Sequence, residues 1–235
     1  MPILEVDGLK KSFGAVVAVD GLTMDVEAGS ITGMIGPNGA GKSTAFNLIT
    51  GLIRPDGGTV RFRDTDITGL ESYEVAQRGI GRTFQHARIF DKMTVQENLE
   101  VVPSPAADTA AEVDRLLSLV ELDEHRNAFG EELSGGQQVL LGIARTLMLQ
   151  PDLIMLDEPF AGVNPGLVSD IAKLLRQLRD EEEATVFLID HEIDEIAALC
   201  DDVIVMAEGK LLVRGEPADV RTDERVVESY LGGAM

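Results

Sequence analysis

The stretch Gly36-Pro37-Asn38-Gly39-Ala40-Gly41-Lys42-Ser43-Thr44 fits the pattern G-x-x-x-x-G-K-[ST]. Its glycines free the backbone to curl so that successive N–H groups point inward at an anion. Lys42 can reach the β- and γ-phosphates of a nucleotide, and Ser43 can offer a hydroxyl to Mg²⁺. An acid at the tip of a buried strand is the usual companion of such a loop. The run Leu153-Ile154-Met155-Leu156 ends in Asp157 and then Glu158. Asp157 is placed to hold Mg²⁺, directly or through water. Glu158, one residue further out, can accept a proton from an attacking water, so the two motifs together predict hydrolysis as well as binding. A third stretch, Leu133-Ser134-Gly135-Gly136-Gln137, puts small residues at the opening of a long helix, a second anion-binding N-terminus. One triphosphate has no use for two such ends from one monomer. A symmetric dimer gives them one: each Ser134 loop covers the phosphates held by the other subunit's Lys42.

The elements that must position these groups are legible from pattern. Residues 31–35 before the phosphate loop read as a buried strand and 45–49 after it as a helix, whose positive end faces the same anion. Short β-type runs at 3–6, 16–19, 22–26 and 59–63 predict an antiparallel sheet folded against the nucleotide core, and Arg82 to Gln85 end another strand. From about 94 to 149 the pattern is helical, with Val113, Leu116, Leu117 and Val120 on one face and a second long helix over 137–149. Strands at 153–156, 185–189 and 203–206 then alternate with helices at 167–178 and 192–199, followed by a strand at 211–214 and a short helix at 224–231. Strands this apolar predict burial on both faces, hence a parallel sheet covered by helices. The run Asp180-Glu181-Glu182-Glu183 reads as a solvated helix end.

Composition narrows the partners. The chain has 235 residues, a net charge of −21 and a pI near 4.4, a field that repels nucleic-acid phosphates and anionic headgroups. Cys200 is the one cysteine, which excludes an internal disulfide and fits a reducing cytosol. Pro2-Ile3-Leu4-Glu5 does not open a signal peptide. No apolar run approaches the ~20 residues a membrane helix needs, so a membrane role must come through a partner.

Leu-Ser-Gly-Gly-Gln at 133–137, together with both phosphate motifs, resembles the signature of the ATP-binding cassette (ABC) ATPases, and the resemblance covers essentially the whole chain. It implies an α/β fold, a P-loop NTPase of the ABC type. That fold has a mixed or parallel core sheet, an N-terminal antiparallel β subdomain and an α-helical subdomain. The whole of 1–235 is then one domain, with a nucleotide lobe at about 1–93 and 150–235 and a helical lobe at about 94–149. By the same resemblance Phe13 stacks on adenine, Gln85 contacts Mg²⁺ or water and senses a transmembrane partner, and His191 contacts the γ-phosphate. The implied catalytic set is Lys42, Gln85, Glu158 and His191, with Mg²⁺ held by Ser43, Gln85 and Asp157. ATP is held by Phe13, the loop from Gly36 to Thr44, and Ser134 to Gln137. Ala161-Gly162-Val163-Asn164 occupies the D-loop, with Asn164 where aspartate is more widespread.

Finer matches are similar to one group. Gly81-Arg82-Thr83-Phe84-Gln85-His86-Ala87-Arg88-Ile89-Phe90 and Met93-Thr94-Val95-Gln96-Glu97-Asn98-Leu99 look like the first ATPase subunit of branched-chain amino acid importers. Lipopolysaccharide-export and urea-importer ATPases are near relatives, and the segment from Leu99 to Leu133 is short for many amino acid importers. The resemblance implies transmembrane permease subunits, a second ABC ATPase subunit in an ATP-sandwich dimer and, indirectly, a solute-binding protein. It also implies a peripheral place on the cytoplasmic face of the cell membrane and no nucleic-acid partner. Chromosome and DNA-repair relatives carry coiled-coil insertions, but no sustained heptads occur here. Translation-factor relatives need two cassettes, and a purely binding module has no need of both Glu158 and His191.

Overall fold

The computed structural model describes residues 1–84, 88–191 and 193–231. Gln85, His86, Ala87 and Glu192 lie outside the described residues, as do the last four.

Two long strands, β1 (Pro2–Phe13) and β2 (Val16–Glu27), form a hairpin across Gly14. The sequence pattern suggested separate short runs at 16–19 and 22–26, but the structure joins them. Gly21 takes φ +77° and the register slips between Leu9↔Leu22 and Lys10↔Asp20, so the extra residue is absorbed as a bulge rather than a turn. β3 (Ile31–Ile35) leads into the phosphate loop and α1 (Lys42–Ile49). β4 (Gly57–Phe62) and β5 (Thr65–Asp66) return to the hairpin and complete an antiparallel sheet of order β2-β1-β4-β5.

After α2 (Ser72–Gln77) and β6 (Ile80–Arg82) the chain enters its helical stretch: α3 (Val95–Glu100), α4 (Thr109–Leu119) and α5 (Gly135–Leu147). Pro103 and Pro105 separate α3 from α4, since neither can donate to a continuing helix. Asp108 caps α4 by accepting from Ala111 N at 3.1 Å. Alternating units follow: β7 (Leu153–Asp157), α6 (Pro165–Glu182), β8 (Thr185–Ile189), α7 (Ile193–Leu199) and β9 (Asp202–Ala207). β10 (Lys210–Gly215), α8 (Pro217–Thr222) and α9 (Glu224–Leu231) end the described chain. The acidic run 180–183 closes α6, with Glu183 in the left-handed C-cap position and exposed, as its composition suggested.

The second sheet has the order β10-β9-β3-β8-β7-β6, with every neighbour parallel except β10 on β9. Its central strands β3, β7, β8 and β9 are largely apolar because alternate residues enter two different cores. Ile154, Leu156, Val186, Leu188, Val203 and Val205 face the helical side, against Leu116, Leu141, Ala144 and Leu175. Leu153, Met155, Phe187, Ile189, Ile204 and Met206 face α1 and the antiparallel sheet, with the Phe46 and Phe187 rings 4.8 Å apart between them. β3, β8 and β7 are consecutive neighbours and parallel. Their carboxyl ends therefore deliver the loop after Ile35, the Asp190-His191 pair and the Asp157-Glu158 pair to one edge, where α/β sheets bind ligands.

Candidate nucleotide site

The phosphate loop is pressed between two strands by its glycines. Gly36 takes φ +153°, and a Cβ there would lie 2.1 Å from Met206 O of β9. Gly41 takes φ +101° as the N-cap of α1, and a Cβ there would lie 2.3 Å from Ala18 O. Backbone oxygens do not yield, so both positions need glycine. Gly41→Ala is expected to add strain of about 1–3 kcal/mol and to weaken nucleotide binding at least ~10-fold. Titration with a fluorescent nucleotide checks this.

No side chain caps α1, so its first N–H groups are available to an anion. Lys42 lies 6% exposed across the loop and donates to Gly36 O at 2.6 Å and Pro37 O at 3.3 Å. Burial pulls its pKa below the usual lysine range, and the charges of Glu158 and Asp190 oppose that fall. Groups more than a hundred residues apart in sequence thus share one electrostatic environment. Pro37 is half-buried, Asn38, Gly39 and Ser43 are exposed, Ala40 is buried and Thr44 is half-buried.

Asp157 is 8% exposed, and Arg82 donates to its Oδ2 at 2.7 Å. Ser43, Asn47 and Asp157 line one cavity of about 360 Å³ together with Arg82 and Phe84. Two hard oxygen donors facing one space suit Mg²⁺ in chemistry. Glu158 carries φ +51°, left-handed backbone in a non-glycine residue, and its N–H donates to Ile189 O at 2.8 Å. Strain of this kind persists only where its surroundings hold it, and it concentrates at functional sites.

Asp190 was not singled out from sequence. Its carboxylate is fully buried and accepts from His191 N at 2.7 Å and Phe160 N at 3.2 Å, with Oδ1 3.4 Å from His191 Nδ1. It anchors the histidine and the segment after Glu158 to each other. The signal was available: Phe187-Leu188-Ile189-Asp190 repeats the apolar-run-then-acid pattern that marked Asp157.

At the other motif Ser134 caps α5 in a closed box. Its N and Oγ both donate to Gln137 Oε1 at 2.9 Å, while Gln137 N donates to Ser134 Oγ at 3.4 Å. This cap starts the helix at Gly135, two residues earlier than the apolar pattern suggested. With Oε1 committed, Gln137 Nε2 donates to His125 Nε2 at 2.7 Å, a partner the sequence did not indicate. Ser134 and Gly135 are exposed, and Gly136 is buried where a Cβ would meet Leu167 at 1.6 Å. Asn164 caps α6 by accepting from Leu167 N at 3.1 Å, a task aspartate performs equally well. Among the described residues no hydrogen bond or ion pair joins 134–137 to the phosphate loop. Phe13 is 50% exposed at the end of β1, with Lys11 Nζ 5.6 Å from its ring centroid. Gln85 lies outside the described residues.

The family profile described as ABC transporter matches residues 19–161, from β2 through both phosphate motifs and the 133–137 stretch. The chain belongs to the ABC transporter family. It is 38% identical to the high-affinity branched-chain amino acid transport ATP-binding protein BraF of Pseudomonas aeruginosa, over 99% of each chain. It is also 38% identical to the lipopolysaccharide export system ATP-binding protein LptB of Haemophilus influenzae, over 99% of this chain and 98% of that one. Among solved structures, the ADP conformation of MJ1267, an ATP-binding cassette of an ABC transporter, superposes with a TM-score of 0.90 at 37% identity, covering 99% of both chains. This chain is accordingly a nucleotide-binding ABC ATPase, and no helix among the described residues is long and apolar enough to cross a membrane.

Proposed function

We propose that this ABC ATPase hydrolyses Mg²⁺-ATP to power an importer of branched-chain amino acids. The observation that carries the hydrolytic reading is the convergence of Lys42, Glu158 and the Asp190-His191 pair at the carboxyl ends of three adjacent parallel strands. In this reading Phe13 stacks on adenine, and the loop from Gly36 to Thr44 cradles the phosphates. Ser43, Asp157 and Gln85 hold the cation, which when bound draws charge off the phosphate oxygens. Glu158 takes the proton of the attacking water. His191, steadied by Asp190, contacts the γ-phosphate.

Ser134 to Gln137 face a second cassette, with Ser134 and Gly135 exposed at the start of α5. Closing and reopening the pair moves permease subunits between inward and outward states. The permease is expected to press a short helix onto the segment after Gln85. There Phe90 is 46% exposed, Arg145 sits 4.8 Å over its ring, and the fully buried Asn98 ties down both backbone groups of Phe90. The chain is then one cassette whose helical lobe, about 94–149, carries the 133–137 stretch, and it works at the cytoplasmic face of a membrane.

The solute assignment leans on the likeness to the amino acid transport relatives. One observation favours lipopolysaccharide export as the second reading. The match to the amino acid relative spans 252 aligned residues, more than the chain's 235, whereas the match to the export relative spans 237. Uptake of labelled leucine, isoleucine and valine in cells carrying Glu158→Gln decides between them. The amino acid reading expects uptake of all three to be lost. Normal uptake with lipopolysaccharide missing from the cell surface would favour export. A selective loss of urea uptake would point to the urea importers.

A further inference from the structure

Arg82 closes β6, three residues before Gln85, and its side chain is 8% exposed. Its guanidinium spans three elements. Nη2 donates to Asp157 Oδ2 at the tip of β7 at 2.7 Å, and Nη1 donates to Thr50 Oγ1 at 2.7 Å. Thr50 is the C-cap of α1 and donates in turn to Phe46 O at 2.7 Å. The rings of Phe46 and Phe84 lie 5.8 and 5.2 Å from the guanidinium carbon and shield it from water.

The helix that Arg82 grips at its end is the helix that carries Ser43 at its start. One rigid fork therefore fixes the Asp157 carboxylate relative to the Ser43 hydroxyl, the two oxygen donors that share a cavity. Among the described residues no hydrogen bond is made to Asp157 Oδ1, so the oxygen left over is the one a cation can take.

We propose that Arg82 is a positioning residue for the divalent cation of the nucleotide site, orienting Asp157 through Oδ2 and holding it in register with Ser43 through Thr50. This rests on the reading of Asp157 and Ser43 as cation donors. The planar fork matters as well as the charge. A lysine ammonium can pair with Asp157 but cannot hold the carboxylate and the Thr50 hydroxyl in one plane. Groups that orient a metal ligand typically account for 10–100-fold in metal affinity.

The test measures the affinity of a fluorescent ADP analogue in Mg²⁺ and again in EDTA, and takes the ratio as the contribution of the cation. Arg82→Met is expected to lower that ratio at least ~10-fold while leaving the EDTA affinity near wild type. A defect that merely loosened the fold would depress both affinities together. Because Arg82→Met strands a buried carboxylate, Arg82→Lys serves as the variant that keeps the charge. It is expected to lose a smaller part of the ratio, with a melting temperature close to wild type. Asp157→Asn tests the underlying reading separately and should collapse the ratio. If Asp157→Asn collapses it but folded Arg82→Lys and Arg82→Met keep or raise it, the positioning role is wrong and the donor assignment stands. If Asp157→Asn also keeps the wild-type ratio, both are wrong.

Discussion

Glu158→Gln is expected to slow phosphate release by at least ~10²-fold, the low end for losing a general base, with nucleotide affinity nearly unchanged. Glutamine keeps the size of the side chain and can keep the left-handed backbone at φ +51° and the Glu158 N to Ile189 O bond, so the turn after β7 stays in place. What it removes is the carboxylate that can accept a proton beside the phosphate loop. The same substitution removes one of the two negative charges that favour the charged form of Lys42, leaving Asp190 to do so. ATP should therefore still bind, and the closed pair of cassettes should accumulate instead of reopening. Phosphate release and sedimentation with and without ATP check the two halves. Release at more than a tenth of the wild-type rate would show that the proton goes elsewhere.

Lys42→Met is expected to weaken ATP binding about 10²–10³-fold, on the basis of about 1.5–3 kcal/mol for each lost charged hydrogen bond, and the loss for ADP should be smaller. The ammonium is nearly buried, so its interactions are little screened by water. Without it the polyphosphate meets the negative charges of Glu158 and Asp190 with the lysine's opposing charge removed. Methionine retains an apolar stem of similar length, which limits the effect on folding, and a melting curve beside the titration separates the two. Equal affinity for ATP in both proteins would remove Lys42 from the site.

Most of the fold was written in short-range pattern. Apolar runs at 31–35, 153–156 and 185–189 could be read as strands buried on both faces because the parallel sheet lies between two cores. The six-residue helices α2 and α8 escaped because fewer than two turns carry no periodicity to read. The hairpin strands were split at Asp20-Gly21 because a glycine bulge and a glycine turn look alike in sequence. At the site, the loop from Gly36 to Thr44 and the acids at 157 and 158 were legible because backbone geometry fixes their spacing. Arg82 on Asp157, His125 on Gln137 and Asp190 on Phe160 N were not. Each of these contacts is made by tertiary packing, and no local spacing constrains it.

This ATPase is expected to drive a membrane transporter. The most direct measurement is native co-purification of the Glu158→Gln protein, solubilised from its own membranes in ATP and analysed by mass spectrometry. Two multispanning proteins, a second ATPase subunit and a solute-binding protein are the expected companions. Recovery of soluble or chromosomal partners with no membrane protein would contradict the transport function.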